Sequence, residues 1–299
     1  MQVGSMSALP PAAPATTKTA AWARRAKTSA PLLPFGGWAL LFLGVPAMAI
    51  AVAAFREPGG GFTTANISAA AQGTYLLGFE NSLKMALVTS VVPALLGAPL
   101  AYAIYTSNSS VLKRLVLAAA AVFANFGGVP LAFLFIACIG APTAMVNMWL
   151  AHIGLHGFNL YTFTGVALVY MYFQVPLMVL VTLPAFDGLR PSWSEAAESL
   201  GARRWQYWRY VGIPVLMPTV LGSTLLLFGF GLSAYATADA LTAGTLALTP
   251  LQIGSFLNGN VIAGQENVGY ALALGLVLVI AVVMVLYVFV QRRASRWLR

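Results

Sequence analysis

The sequence predicts an all-α fold, a polytopic helical membrane protein of six transmembrane helices with both termini and one helical loop on the cytoplasmic side. Three observations lead there. Of 299 residues, 60% are hydrophobic and only 8% are charged, about a third of the roughly 25% found in a soluble domain. The apolar residues gather into runs of about 20, the length that crosses a hydrocarbon core of about 30 Å at 1.5 Å per residue. The Lys and Arg residues fall almost wholly in alternate connections between those runs.

Residues 1–35 come first, rich in Ala, Pro, Ser and Thr and carrying Lys18, Arg24, Arg25 and Lys27; they read as a disordered basic tail leading to a membrane boundary. Six apolar runs follow: Gly36 to Phe55, Ser82 to Tyr105, Leu115 to Gly140, Thr162 to Phe186, Val215 to Thr237 and Val268 to Val290. They are so nearly free of charge that a buried soluble helix fits them poorly. Lys84 alone lies within a run, near its start, and is expected to snorkel to the interface. Pro46, Pro93, Pro99, Pro130 and Pro176 also lie inside runs, with Gly127-Gly128 just ahead of Pro130, and are expected to kink their helices.

Orientation follows from the basic residues. The tail holds four, the second connection Lys113 and Arg114, the fourth Arg190, Arg203, Arg204 and Arg209, and the C-terminal segment 291–299 Arg292, Arg293, Arg296 and Arg299. Arg56 and Lys84 are left for the opposite face, so both termini are placed in the cytoplasm. The basic tail, the first run and Ala51-Val52-Ala53 also imitate a cleavable secretory signal, and Arg24-Arg25 a twin-arginine one. That run is long for a signal core and five more follow it, so it is read as a span.

The same distribution argues against nucleic acid despite a net charge of +9, because the basic residues sit between apolar runs rather than on one wet face. Cys138 is the single cysteine, which excludes an intrachain disulfide and a thiolate cluster. His152 and His156 stand four apart after Trp149 and could meet on one helical face, but no carboxylate or cysteine sits nearby and no metal site is read. Trp149, Tyr161 and Phe163 read as markers of the outer interface.

The fourth connection, 187–214, is the most informative segment. Ser192 with Glu195 three residues on has the spacing of a capping box, opening a short helix through Ala196, Ala197 and Leu200. Gly201 closes it, and a second amphipathic segment carries Arg203, Arg204 and Arg209 beside Trp205 and Trp208. Pro214 is then expected in the first turn of the next span. Such a rigid knob could hand force from a partner to the membrane helices.

Glu195-Ala196-Ala197, three residues, Gly201, nine residues, then Val211-Gly212-Ile213-Pro214 resembles the EAA loop of permease subunits of binding-protein-dependent ABC importers of type I. The family pattern is Glu-Ala-Ala, three residues, Gly, nine residues, Ile, any residue, Leu-Pro; Val211 and Ile213 are conservative departures. Asn81-Ser82-Leu83 and Pro99-Leu100-Ala101-Tyr102 also look like this family. The resemblance implies a permease domain over 36–290, with Glu195, Ala196, Ala197, Gly201, Arg203, Arg204, Ile213 and Pro214 in the ATPase-coupling loop. It further implies cytoplasmic ATPase subunits whose groove near the Q-loop receives that loop, a second homologous permease, an extracytoplasmic solute-binding protein and a small-molecule substrate.

ATP and Mg would be bound by the ATPase, with no cofactor in this chain. The residues agree independently: a P-loop needs Gly-Lys-[Ser/Thr], and Lys18, Lys27, Lys84 and Lys113 follow Thr17, Ala26, Leu83 and Leu112. The chain is therefore read as a non-enzyme. An ion-coupled secondary transporter is the rival from another class, but it usually needs ionisable residues at mid-membrane, which these runs nearly lack. A structural subunit without a pathway would leave the proline- and glycine-bearing spans unexplained.

For the substrate, Ser233-Ala234-Tyr235-Ala236-Thr237 is similar to the Ser-Ala-(Tyr/Phe)-X-Thr stretch of polyamine permeases and their relatives for iron and aminophosphonates; Ala238 to Ala243 lacks the Pro and Gly-Gly that follow there. A polyamine is the expected cargo, with an aminophosphonate, ferric iron or a sugar as alternatives. A polycation favours carboxylates and aromatic faces, which singles out Tyr170, Tyr172, Tyr235 and Asp239. Asn125 and Gln174 are amides that would be costly facing lipid. The plainer reading of each is an interhelical hydrogen bond or an interfacial anchor. Four acids, Glu57, Glu80, Asp239 and Glu266, stand on the outer side, few for a cation funnel.

Overall fold

Backbone in a hydrocarbon core must satisfy its polar groups internally, and the apolar runs do so as helices. The structure, a computed structural model, describes residues 32–57, 59–107, 109–141, 144–152, 158–259 and 265–295. Nearly all of the basic tail lies outside the described residues, as do His156, Arg296 and Arg299. The chain divides into two compact units, Met1–Ala49 and Ile50–Arg299. Helix starts at Leu32, within the segment read as tail, and α1 (Pro34–Ala54) is a 21-residue apolar span with a π turn at Leu40–Gly44.

The second unit continues with α2 (Ala65–Ala70), α3 (Gly73–Thr106), α4 (Ser110–Asn125), α5 (Val129–Ile139) and α6 (Met145–His152). Then come α7 (Phe163–Asp187), α8 (Pro191–Ser199), α9 (Arg204–Ser233), α10 (Ala236–Thr242), α11 (Thr249–Leu257) and α12 (Val268–Ser295). Among the described residues α1, α3, α7, α9 and α12 are each long and apolar enough to cross a membrane, and α4 with α5 makes a sixth if the bent pair is one span.

Three expectations need correction. The third run is not a kinked span: α4 and α5 meet at 98°. Gly128, at φ +74° and ψ −151°, takes a backbone conformation closed to other residues, and Pro130 stands in the first turn of α5, where its missing N–H leaves nothing unpaired. The second run starts at Gly73 rather than Ser82, because hydropathy marks the hydrocarbon edge and polar residues carry the helix past it. At 34 residues α3 is about 51 Å long, well beyond a core of about 30 Å. Lys84 therefore lies a third of the way along, paired with Glu80 at 3.2 Å.

The fifth run differs at both ends. It breaks at Ala234, and it starts eleven residues early, because the basic segment and the span are one 30-residue helix. Pro214 is thus inside a helix, and the π turn at Trp208–Gly212 relieves the ladder immediately ahead of it.

The most buried span is α7, packed between α3 and α9. One apolar core joins Met85, Val166, Val169 and Tyr170 to α5 and α10 through Leu131, Ala132, Ala238 and Leu241. A second joins Ala101, Ile104, Val179, Leu183 and Phe186 to Leu216 at the opposite end of α7.

Candidate functional site

The loop 187–214 folds as two helices around a glycine turn. Its first helix opens two residues earlier than the capping-box spacing suggests: Arg190 takes the cap position and Pro191 the first turn, so Ser192 lies inside α8. Its end is a Schellman motif, with the Ala202 N–H donating to the Ala197 carbonyl and the Gly201 N–H to the Glu198 carbonyl, both at 2.9 Å. Gly201 has φ +74°, which suits glycine. The second helix is capped in reverse: the Gln206 side chain accepts from the Arg203 N–H at 2.6 Å.

Aromatic rings fix this loop to the bundle. Trp208 meets Tyr102 of α3 edge-on at 4.8 Å, and Tyr102 and Tyr105 lie 5.9 and 5.7 Å from Phe186 of α7. Trp193 packs on the same core, with the Arg190 guanidinium 5.9 Å from its ring. Lys113 pairs with Asp187 at 3.5 Å, tying α4 to the end of α7. The opposite side of the loop is bare. Glu195, Ala196, Gly201, Arg203, Arg204, Ile213 and Pro214 are exposed and Ala197 half-buried, while Leu200 is 87% and Trp205 56% exposed.

The polar residues cluster where helices break. Tyr170 is buried on α7 and its hydroxyl donates to the Ala234 carbonyl, at the end of α9, over 2.8 Å. The Gly128 N–H, at the α4–α5 break, donates to Thr237 Oγ1 of α10 at 3.0 Å. The two breaks are thereby linked. Tyr235 and Asp239 stand exposed beside this junction, and partial desolvation, then the Asp239 carboxylate that its hydroxyl faces, raise the Tyr235 pKa above the ordinary tyrosine range.

One turn along α7 from Tyr170, Gln174 is fully buried, and neither its amide nitrogen nor its oxygen has a partner. It faces Thr89 of α3 and Gly231 of α9: a Cβ built on Gly231 would lie 2.5 Å from Thr89 Oγ1 and 3.4 Å from Gln174 Nε2. Asn125 stands apart from this group, exposed at the end of α4 with its amide donating to the Ala121 carbonyl at 2.8 Å. Tyr172 packs between Phe123 and Phe135. The interhelical-bond reading thus describes Tyr170, and a within-helix bond describes Asn125.

Sequence reasoning missed the anchoring role of Tyr102, Tyr105 and Trp193, although aromatics beside the basic connections were the available signal. It also missed what Asn81 and Ser82 do: Asn81 Nδ2 donates to the Ala247 carbonyl at 3.1 Å and the Thr249 N–H donates to Ser82 Oγ at 2.8 Å, clamping α11 to the projecting part of α3. His152 Nδ1 lies 2.8 Å from the Met148 carbonyl of its own helix.

Comparison with known proteins gives consistent likenesses. The family described as "Binding-protein-dependent transport system inner membrane component" matches residues 34–298. The sulfate transport system permease protein CysT of Escherichia coli is 32% identical over 118 residues, 36% of this chain and 42% of CysT. The trehalose transport system permease protein SugB of Mycobacterium tuberculosis is 30% identical over 177 residues, 59% of either chain. The chain thus spans about half the length of these relatives. Among solved structures, a bacterial ABC transporter involved in the import of the acidic polysaccharide alginate aligns with TM-score 0.68 at 20% identity, over 92% of this chain and 99% of that one. The MetNI methionine ABC transporter in inward-facing conformations aligns with TM-score 0.52 at 18% identity, over 73% and 95%. Both likenesses are of fold.

Proposed function

The chain belongs to the binding-protein-dependent transport system inner membrane components, and from that membership we propose that it is one of two permease subunits of an ATP-driven importer in a bacterial inner membrane. It forms the solute path with a second homologous permease, receives solute from an extracytoplasmic binding protein and couples to cytoplasmic ATPase subunits through loop 187–214. The related alginate transporter has been captured with a periplasmic protein carrying alginate pentasaccharide, which supports the binding-protein partner.

The observation that carries the coupling role is the two-sidedness of the loop: Leu200 and Trp205 bare outward, Trp193 and Trp208 locked inward. Exposed large apolar groups outside the hydrocarbon mark a protein contact. A pull on α8 passes through the Gly201 turn into α9, which runs unbroken to Ser233. Trp208 carries it sideways to α3 and α7. At the far end, Tyr170–Ala234 and Gly128–Thr237 pass the motion to α10 and α5.

For cargo we retain a small polyamine-like cation, supported by the exposed Tyr235–Asp239 pair, an aromatic face beside a carboxylate. A sulfate-like anion is the second reading, favoured by the likeness to CysT. The test is purification in mild detergent with whatever co-purifies, followed by uptake of polyamines, sulfate, aminophosphonate, ferric iron and trehalose into vesicles. Glu195→Lys and Gly201→Asp are expected to assemble yet lower uptake and substrate-stimulated ATPase activity by about tenfold or more. Full activity in both variants would remove the loop's coupling role.

A further inference from the structure

Between α9 and α12 lies a cavity of about 550 Å³ that the solute path and the coupling loop leave unused. Its walls run from Pro218 to Gly229 on α9 and from Gln291 back to Ile280 on α12, with Val181 of α7 also lining it. Eleven residue steps make each wall about 16 Å long, matching one leaflet of a hydrocarbon core of about 30 Å. Glycine makes the room. At Gly222 the Tyr287 ring fills the place of a side chain, and at Gly229 nothing lies within 4 Å of a built Cβ.

The lining offers a hydrophilic solute little, since it is apolar but for a few groups and the Ser223 hydroxyl is already spent on the Thr219 carbonyl at 2.8 Å. The remaining polarity on α12 collects at one end, Tyr287 and Gln291, one turn apart; exposed Arg292 is the next residue along the helix, beyond the lining itself. This is the basic end of the sequence pattern, where α9 also begins with exposed Arg204 and Arg209. Apolar along a leaflet's depth and polar then cationic at its mouth, the slot has the chemistry of a lipid acyl chain below an anionic headgroup.

We infer that the α9–α12 slot binds one anionic diacyl phospholipid of the cytoplasmic leaflet, of the phosphatidylglycerol type, with an acyl chain between Gly222 and Gly229 and its phosphate at Arg292. A chain seated there wedges α9, the helix that carries the coupling motion. Its occupancy would then tune transport.

The test uses the chain purified with the partners it retains, in nanodiscs containing phosphatidylglycerol or phosphatidylcholine with a photoreactive acyl chain, and mapping of labelled peptides. Phosphatidylglycerol is expected to label α9 and α12 peptides, phosphatidylcholine far less. Gly229→Leu, at a position where an added Cβ meets nothing within 4 Å, occupies slot volume and should cut labelling about tenfold at unchanged co-purification. Arg292→Gln should remove the preference between the two lipids. Equal labelling of Gly229→Leu and the parent, or equal labelling by both lipids in the parent, overturns the site. So does crosslinking of Gly229→Cys, in a Cys138→Ser background, to a companion permease, because protein would then fill the slot.

Discussion

Gln174 carries an amide with no partner on the most buried of the described spans, wedged where α3, α7 and α9 meet. An unpaired buried polar group costs about 1 to 3 kcal/mol. Gln174→Leu is therefore expected to raise the detergent melting temperature of the assembled protein, while lowering uptake if the amide finds partners in another conformation. A lowered melting temperature would show that the amide is satisfied after all. Gly231→Ala should act oppositely: its methyl would meet Thr89 Oγ1 and the Ala86 backbone, an overpacking cost of about 1 to 3 kcal/mol. Gly201→Ala has open space but a positive φ, so thermal melts should show a loss of about 1 kcal/mol at the α8 end.

At the scale of elements, hydropathy revealed the spans because a run of about 20 apolar residues has few soluble uses. It could not reveal where helices end. Thr74 and Asn81 lie ahead of the apolar run that Ser82 opens, and α3 extends through them because α11 and the residues just before it bond to all three, across more than 160 residues of chain. Nor could it separate a kink from a 98° bend, since Gly127-Gly128-Val129-Pro130 is compatible with both. The loop was legible through spacing alone, from Glu195 to Gly201 to Pro214, yet its anchors were not, because Tyr102 and Phe186 become its neighbours only in the folded bundle. Trp208→Ala, removing the half-buried ring that joins α9 to α3, should cost about 2 kcal/mol in thermal melts and uncouple ATP hydrolysis from uptake more than it reduces assembly. Tight coupling in that variant would move the force path elsewhere.

For the whole molecule, the orientation proposed from the basic residues puts the loop on the cytoplasmic face together with both termini, and thiol labelling tests it. With Cys138 replaced by Ser, Leu200→Cys is expected to react with an impermeant thiol reagent in inverted vesicles only, and Glu57→Cys in right-side-out cells only. The reverse pattern would invert the topology and with it the coupling role. Helix α1 has its π turn ending two residues before Pro46, and α9 has its own ending two residues before Pro214. A π turn is one residue more than an α-helical ladder needs, so whatever precedes it is turned by about 100° about the axis relative to a regular helix. A chimera that grafts another permease's loop onto this α9 must bring its own register across position 212. A graft joined one residue out would aim its Glu-Ala-Ala face a quarter-turn away from the proposed ATPase contact, though every residue of the motif were present.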